Sequence, residues 1–406
     1  MRKSSNSEIL GDAQVDRRAF LQLTVAAAAV SMVPGNLFAA PRVPVPQMAR
    51  FPDKRDLILL TDRPPQLETP IKYFVHDLTP NGAFFVRWHL AGIPTSIDTR
   101  TFRLSVAGHV DRPLRLSLDE LRKQYEPVSL IAVAQCSGNS RSFFEPGVPG
   151  GQWANGAMGN AKWTGVRLRD LLAGAGVKDG AVDVSFGGLD RSPLPGVAPF
   201  VKSLDLSHAT DGEVMIAYAM NDAELPMLNG FPLRLVVPGW FATYWVKALN
   251  EINVLSEKFH GYWMDKAYRI PKTPLAVESP QALATETTPI HRHTVRSIFV
   301  LPEPGARIPA GTDIELQGVA LDSGEQIRRV EVSTDSGKIW VDAKLDQELG
   351  KYSWRRWRLH WKPGNPGNYQ LMVRATNGLG EGQVTTQWNR GGYQRNVVEK
   401  LDVTVD

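Results

Sequence analysis

Apolar and polar side chains alternate from Phe102 to Ala107, the two-residue period of a half-buried strand. Ser117, Leu118, Asp119 and Glu120 have the spacing of a capping box, in which residues three apart satisfy each other's free backbone N–H groups. A helix running to about Gln124 is predicted. The apolar run from Leu130 to Ala134 predicts a buried strand that delivers Cys136 at its end. Apolar residues at 168, 171 and 172, stopped by Gly176, predict a short helix over Val166 to Ala175. Leu233 to Val237, closed by Pro238-Gly239, predicts another buried strand. Further on the period becomes that of strands alone. Ile314 to Val319, Arg329 to Ser333, Trp354 to Trp361 and Tyr369 to Ala375 are strand-like, with turns at Asp335-Ser-Gly337 and Asn377-Gly378. The fold class is therefore α+β: a mixed α/β region followed by an immunoglobulin-like β-sandwich. Prolines crowd residues 41–70, an extended arm, and residues 271–290, a linker or strap between the two regions.

Composition adds boundaries to this picture. The chain has 406 residues with 46 Lys and Arg against 42 Asp and Glu, an excess too small to argue for nucleic acid. A single cysteine, Cys136, excludes an internal disulfide, a Cys-only zinc site and the Cys-x-x-Cys-His run of c-type haem attachment. The N-terminus reads as an address. Arg17-Arg18 with Phe20-Leu21, the apolar run Leu23 to Val33 and the small residues before Pro41 have the three parts of a twin-arginine export signal. The run is about 11 residues, short of the roughly 20 needed to span a bilayer, and no other stretch qualifies. Cleavage falls after Ala39 or Ala40, and the mature chain is expected in the periplasm.

Candidate chemistry gathers at few places. Cys136 opens the small, polar segment Cys136-Ser-Gly-Asn-Ser-Arg141 at a strand end. A lone cysteine is most often a small buried hydrophobe, yet an arginine five residues on favours a thiolate, a nucleophile or soft metal ligand. Arg87 and His89 in Phe84-Phe-Val-Arg-Trp-His89 would share one side of a strand, which by itself is also what a surface pair does. Trp153 lies in a glycine-rich loop, and Tyr268 follows Asp265-Lys-Ala267, where a solvated tyrosine is the plain alternative. His291 and His293 form a pair without a third ligand in view. In Trp354 to Trp361, alternation puts Trp357, Leu359 and Trp361 on one face and Arg356, Arg358 and His360 on the other, a sandwich strand rather than a nucleic-acid platform.

Taken together and in order, these segments resemble the sulfite oxidase family of molybdenum enzymes, most of all the periplasmic sulfite dehydrogenase type. The motifs are Phe84 to His89, Cys136 to Arg141, Gly156 to Asp170, Phe186 to Asp190, Leu225 to Gly239 and Trp388-Asn-Arg390-Gly. The resemblance spans about residues 80–400 and, after the export signal read over 1–39 and the arm over 40–80, implies a molybdopterin-binding catalytic domain over 81–275 and an immunoglobulin-like dimerisation domain over 276–406. It implies a molybdenum–molybdopterin cofactor, no haem in this chain, and Cys136 as the metal's protein ligand. Arg87, Arg141 and Arg390 match the family's anion-pocket arginines, the last across a one-residue gap. Tyr268 matches the active-site tyrosine, Trp153 a pocket wall, and His89 a pterin or pocket contact. Phe85, Val86, Trp88, Asp190, Arg234, Trp245, Val246 and Lys247 match cofactor-anchoring positions. Asn229 stands where many members have histidine. The implied activity is oxidation of sulfite to sulfate, with electrons passed singly to a separate c-type cytochrome by a homodimer without nucleic-acid or membrane-spanning roles. The alternatives are a reductase of the same superfamily, acting on methionine sulfoxide or nitrate, and a non-enzymatic exported binding protein.

Overall fold

In the computed structural model, the structure describes the strand Met48–Ala49 and residues 51–406; the export signal expected from Arg17-Arg18 lies outside these residues. Two five-stranded sheets carry the first region. One has the order Val201–Asp205, Asp183–Gly188, Leu249–Leu255, Leu104–Gly108, Leu114–Leu116, with Leu249–Leu255 and Leu104–Gly108 parallel and the other pairs antiparallel. The other has the order Ala223–Glu224, Met215–Met220, Met158–Arg167, Val128–Gln135, with Arg234–Val236 also paired to Met215–Met220. The second sheet puts Cys136 at the open end of Val128–Gln135, because that strand pairs residue for residue with Met158–Arg167 as far as Gln135 opposite Met158.

The capping box closes as the spacing requires: Ser117 Oγ accepts from the Glu120 N–H at 3.2 Å, and the Glu120 carboxylate accepts from the Ser117 N–H at 2.8 Å. The helix that follows spans Leu118–Gln124 and buries Leu118 and Leu121. The second helix, Leu168–Ala175, starts later than its apolar spacing suggests. Val166 and Arg167 stay in the strand because they pair with Ile216 and Met215. The ladder hydrogen bonds of a buried edge outweigh one more helical turn.

Two proline-rich stretches are more structured than extended chain. Leu57–Thr61 and Gln66–Glu68 form a sheet with Val86–Arg87, so the arm is stitched directly to the segment carrying Arg87. Between the two regions, Arg269–Pro271 pairs with Thr287–Pro289. The last region is a two-sheet sandwich. One sheet orders Arg296–Leu301, Ile314–Leu321, Arg355–Trp361, Lys344–Leu345; the other orders Arg307–Ile308, Glu399–Val405, Gly367–Asn377, Ile327–Ser333, Val341–Asp342. Leu316, Val330, Trp357, Leu371 and Val373 fill the space between them, and His360 faces out. Among the described residues no helix is long and apolar enough to cross a membrane.

Candidate active site

Cys136 is held by its backbone: its N–H donates to Ala157 O at 2.9 Å and its carbonyl accepts from Asn139 N–H at 3.0 Å. The chain then turns through Ser140, whose φ of 69° is in the left-handed region. That conformation costs a non-glycine residue about 1 kcal/mol. It is fixed by Ser140 N–H to Ala154 O at 2.7 Å and by the Arg296 guanidinium on Ser140 Oγ at 2.6 Å. Arg141 folds back over the turn. A Cβ on Gly138 would lie 2.7 Å from its guanidinium, so only glycine permits this approach.

A cavity opens at Cys136. Arg87, His89 and Tyr268 line it, as do Phe85, Asn229, Arg234 and Lys247. His89 stacks on Phe200 with centroids 3.7 Å apart, and its Nε2 lies 2.7 Å from the Tyr268 hydroxyl. Burial first, then the positive charges of Arg87, Lys247 and Lys202, hold the imidazole well below its ordinary value, so it is neutral. The Tyr268 hydroxyl then donates to His89 and accepts from Arg87 Nη2 at 3.4 Å. Burial raises the Tyr268 phenol above its usual range, so that proton stays on oxygen.

Cations gather around the same space. Arg234 lies over Trp163 and Trp245, 5.2 and 5.6 Å from their centroids, and donates from Nη1 to Asn229 O at 2.9 Å; its Nε is buried with no partner. Trp245 is fixed by its own Nε1 bond to Val237 O at 2.9 Å, and Val246 beside it is buried. Lys247 Nζ sits 4.7 Å over Trp88, whose Nε1 donates to Leu228 O at 3.0 Å. Burial, with repulsion from Arg234, lowers Lys247 to about 7, and burial lowers Arg234 to about 9. Asp190 is buried near Lys247, whose charge opposes the upward pull of burial on its carboxyl. Asn229 is clamped: its Nδ2 donates to Phe85 O at 3.0 Å, and its Oδ1 accepts from Lys54, which also donates to Asn81 O at 2.8 Å and Phe84 O at 3.1 Å.

Three expected pocket residues do not line this cavity. Arg390 turns away and is 42% exposed; its Nε and Nη2 engage the Glu278 carboxylate, with Nη2 2.5 Å from Oε2. This buried carboxylate is held down to about 2, first by Arg390, and a bidentate carboxylate is a strong competitor for a guanidinium. Arg141 is adjacent but committed: Nε and Nη2 donate to Gly391 O at 3.2 and 3.1 Å, and Nη1 to Gly151 O at 3.1 Å. Trp153 is buried and its carbonyl accepts from Ser142. His291 and His293 are also apart from it.

Sequence reasoning passed over Lys54 and Tyr393. Lys54 sits in the charge run Asp53 to Asp56, which reads as a solvated surface. Tyr393 follows a glycine pair in a turn. Its ring stacks on Tyr268 with centroids 5.5 Å apart, and the Arg141 guanidinium lies 4.9 Å from its centroid.

A deep thiol beside buried cations, one with an orphaned N–H, suits a polyanionic ligand that brings a soft metal. Among the described residues no group of three His, Cys, Asp or Glu could hold a metal, so a metal at Cys136 needs further ligands from outside the protein. A pterin dithiolene with its phosphate fits this donor set. The fold and site thus define a molybdopterin-binding oxidoreductase. The family model described as oxidoreductase molybdopterin binding domain matches residues 90–263, and that described as Mo-co oxidoreductase dimerisation domain matches residues 287–405. Mitochondrial sulfite oxidase of Mus musculus is 33% identical over 85% of this chain and 65% of its own length; that of Rattus norvegicus is 32% identical over 91% and 71%. The chain therefore spans about two thirds of the length of these relatives. The sulfane dehydrogenase SoxCD of Paracoccus pantotrophus shares the fold, with a TM-score of 0.74 and 23% identity over 92% of this chain and 93% of that one. The chain belongs to the sulfite oxidase family.

Proposed function

We propose that this chain is a periplasmic sulfite dehydrogenase, which oxidises sulfite to sulfate at a molybdenum–molybdopterin centre. The observation that carries this reading is the Cys136 thiol opening into a cavity lined by Arg87, Arg234 and Lys247 and by no carboxylate. When bound, the cofactor supplies the two-electron redox chemistry by which sulfite and water become sulfate, two protons and two electrons. Cys136 would hold the metal. Arg234, Lys247 and Asn229 would hold the pterin phosphate end, with Phe85, Val86, Trp88, Asp190, Trp245 and Val246 forming the surrounding walls.

The protein's own contribution is charge and orientation. Arg87 attracts the dianion, and its fork of donors fixes the anion's oxygens. The Tyr268 hydroxyl, kept protonated and aimed by His89, turns to donate to substrate when the anion arrives. Phe200 and Trp263, packed on His89, keep water from its far face. Arg141 sets the position of the turn beside Cys136. The electrons leave singly to a separate c-type cytochrome, as the family resemblance implies. Residues 276–406 pair two chains into a homodimer, a role supported by the dimerisation-domain match. Arg17-Arg18 and the apolar run after them direct the folded, cofactor-loaded chain to the periplasm.

The test is a sulfite-dependent assay of the purified holoenzyme with cytochrome c, ferricyanide and oxygen as acceptors. Cytochrome c reduction that requires sulfite is the expected result. No sulfite-dependent reduction of any acceptor, or turnover of nitrate or methionine sulfoxide with reduced viologen instead, would contradict the assignment.

A further inference from the structure

The turn from Trp388 to Gln394 belongs to the sandwich region, yet it closes on the cysteine segment. Gln394 N–H donates to Ser137 O at 3.1 Å, one residue beyond Cys136. Gly391 O accepts both Nε and Nη2 of Arg141. The turn is braced from within: Asn389 Oδ1 accepts from Tyr393 N–H at 3.1 Å, and Asn389 Nδ2 donates to Tyr393 O at 3.0 Å. It is braced from outside by Trp388 Nε1 on Pro146 O at 2.8 Å and by the Arg390–Glu278 pair. Its backbone is thus fixed without help from the Tyr393 side chain. That side chain enters the gap between Tyr268 and Arg141, with its ring inclined 27° to that of Tyr268.

We propose that Tyr393 is a positioning residue of the active-site pocket, whose ring packs between the Arg141 guanidinium and the Tyr268 ring and so holds the Tyr268 hydroxyl in the direction that receives the substrate oxyanion. The proposal rests on the oxyanion-oxidising reading above. Three carbonyl bonds consume part of the Arg141 fork, and the free N–H groups on Nη1 and Nη2 point where the ring and the turn send them. The aromatic face attracts the cation without offering an acceptor that would compete with an anion. Stacking leaves the Tyr268 hydroxyl, at the far end of its ring, free to rotate between His89 and substrate. The sandwich region therefore backs the pocket through Tyr393, behind Tyr268, where Arg390 was expected to supply a charge.

The test compares wild type, Tyr393→Leu, Tyr393→Met and Tyr393→Phe as holoenzymes. Two readouts are taken: KM and kcat for sulfite, and the dissociation constant of inorganic sulfate from its shift of the melting temperature. Losing the ring, in Leu or Met, raises both KM and the sulfate dissociation constant about tenfold, while kcat changes less than about threefold. Tyr393→Phe keeps the ring and stays within about twofold of wild type in both. Unchanged KM and sulfate affinity in the Leu and Met variants would overturn the proposal. So would a loss in Tyr393→Phe as large as theirs, because the hydroxyl rather than the ring would then be responsible. Tyr393→Phe preserves the packing and decides this point even where the other two fail to fold. A wild type that neither oxidises sulfite nor responds to sulfate would instead remove the reading of the site itself.

Discussion

The cofactor cavity and the sandwich treat positive charge in opposite ways. In the sandwich, Arg374 engages Glu331 through two bonds of 2.9 and 3.2 Å, Arg329 meets Asp342 at 2.6 Å and Arg358 meets Asp346 at 2.8 Å. Around the cavity, Arg87 and Arg234 form no ion pair among the described residues; Arg234 is buried with its Nε unpartnered, and Lys247 has the buried Asp190 carboxylate nearby. Pairing at an exposed surface is worth little, about 0–1 kcal/mol, and it neutralises the local field. Burying an uncompensated cation costs far more and leaves a field that only an anion relieves. The difference teaches that stability was given up at one place in the molecule, and that the missing partner there is a ligand.

The largest expected effect comes from Cys136→Ser. Its hydroxyl is a hard, weakly acidic ligand, so sulfite oxidation falls by about a thousandfold or more. Retention of full activity, measured by steady-state assay, would show that the thiol is not the ligand.

Lys247→Met separates the two regions most sharply. It removes a cation of the cavity while keeping length, so pterin retention through gel filtration drops about tenfold. Arg374→Met in the sandwich should do the reverse, losing about 0.5–1 kcal/mol with no change in retention. Equal pterin retention in the two variants would dissolve the contrast.

A smaller effect follows from pH. Burial lowers Lys54 and Lys247 to about 7, against an unfolded value of 10.5. Between those values the unfolded chain binds more protons than the native one, so stability of the cofactor-free protein rises with pH across that window. An anionic ligand restores the protons, and its affinity falls as pH rises above about 7. Stability of the cofactor-free form that falls from pH 7 to 9 would contradict these charges.

The smallest effect is that of Arg390→Gln. With its guanidinium on Glu278, the sulfite KM stays within about twofold while stability drops by about 1 kcal/mol, because the Glu278 carboxylate is buried and loses its counterion. A tenfold rise in KM would place Arg390 in the pocket after all.

Much of this was legible in local pattern. The strand that ends at Cys136, the capping box at Ser117 and the alternation through Trp357 and Tyr369 each follow from a period that neighbouring residues enforce. The start of the second helix was not, because Val166 and Arg167 answer to strand partners about fifty residues away. Arg390 was misplaced for a related reason: a motif fixes which residue stands near a site, but its rotamer is settled by Glu278, 112 positions distant. Lys54 looked solvated because nothing near it in sequence shows the carbonyls of Asn81 and Phe84 that enclose it. Tyr393 carries no motif, and only the folding of the sandwich turn onto Ser137 brings it to Tyr268.

The most direct test of the central claim, that unpaired cations and one thiol await a metal-bearing polyanion, is the joint measurement of molybdenum and pterin per chain in protein purified from a cofactor-producing host. The account predicts close to one of each in wild type, and both depleted together in Lys247→Met. Wild-type protein that carries neither in every preparation would contradict it.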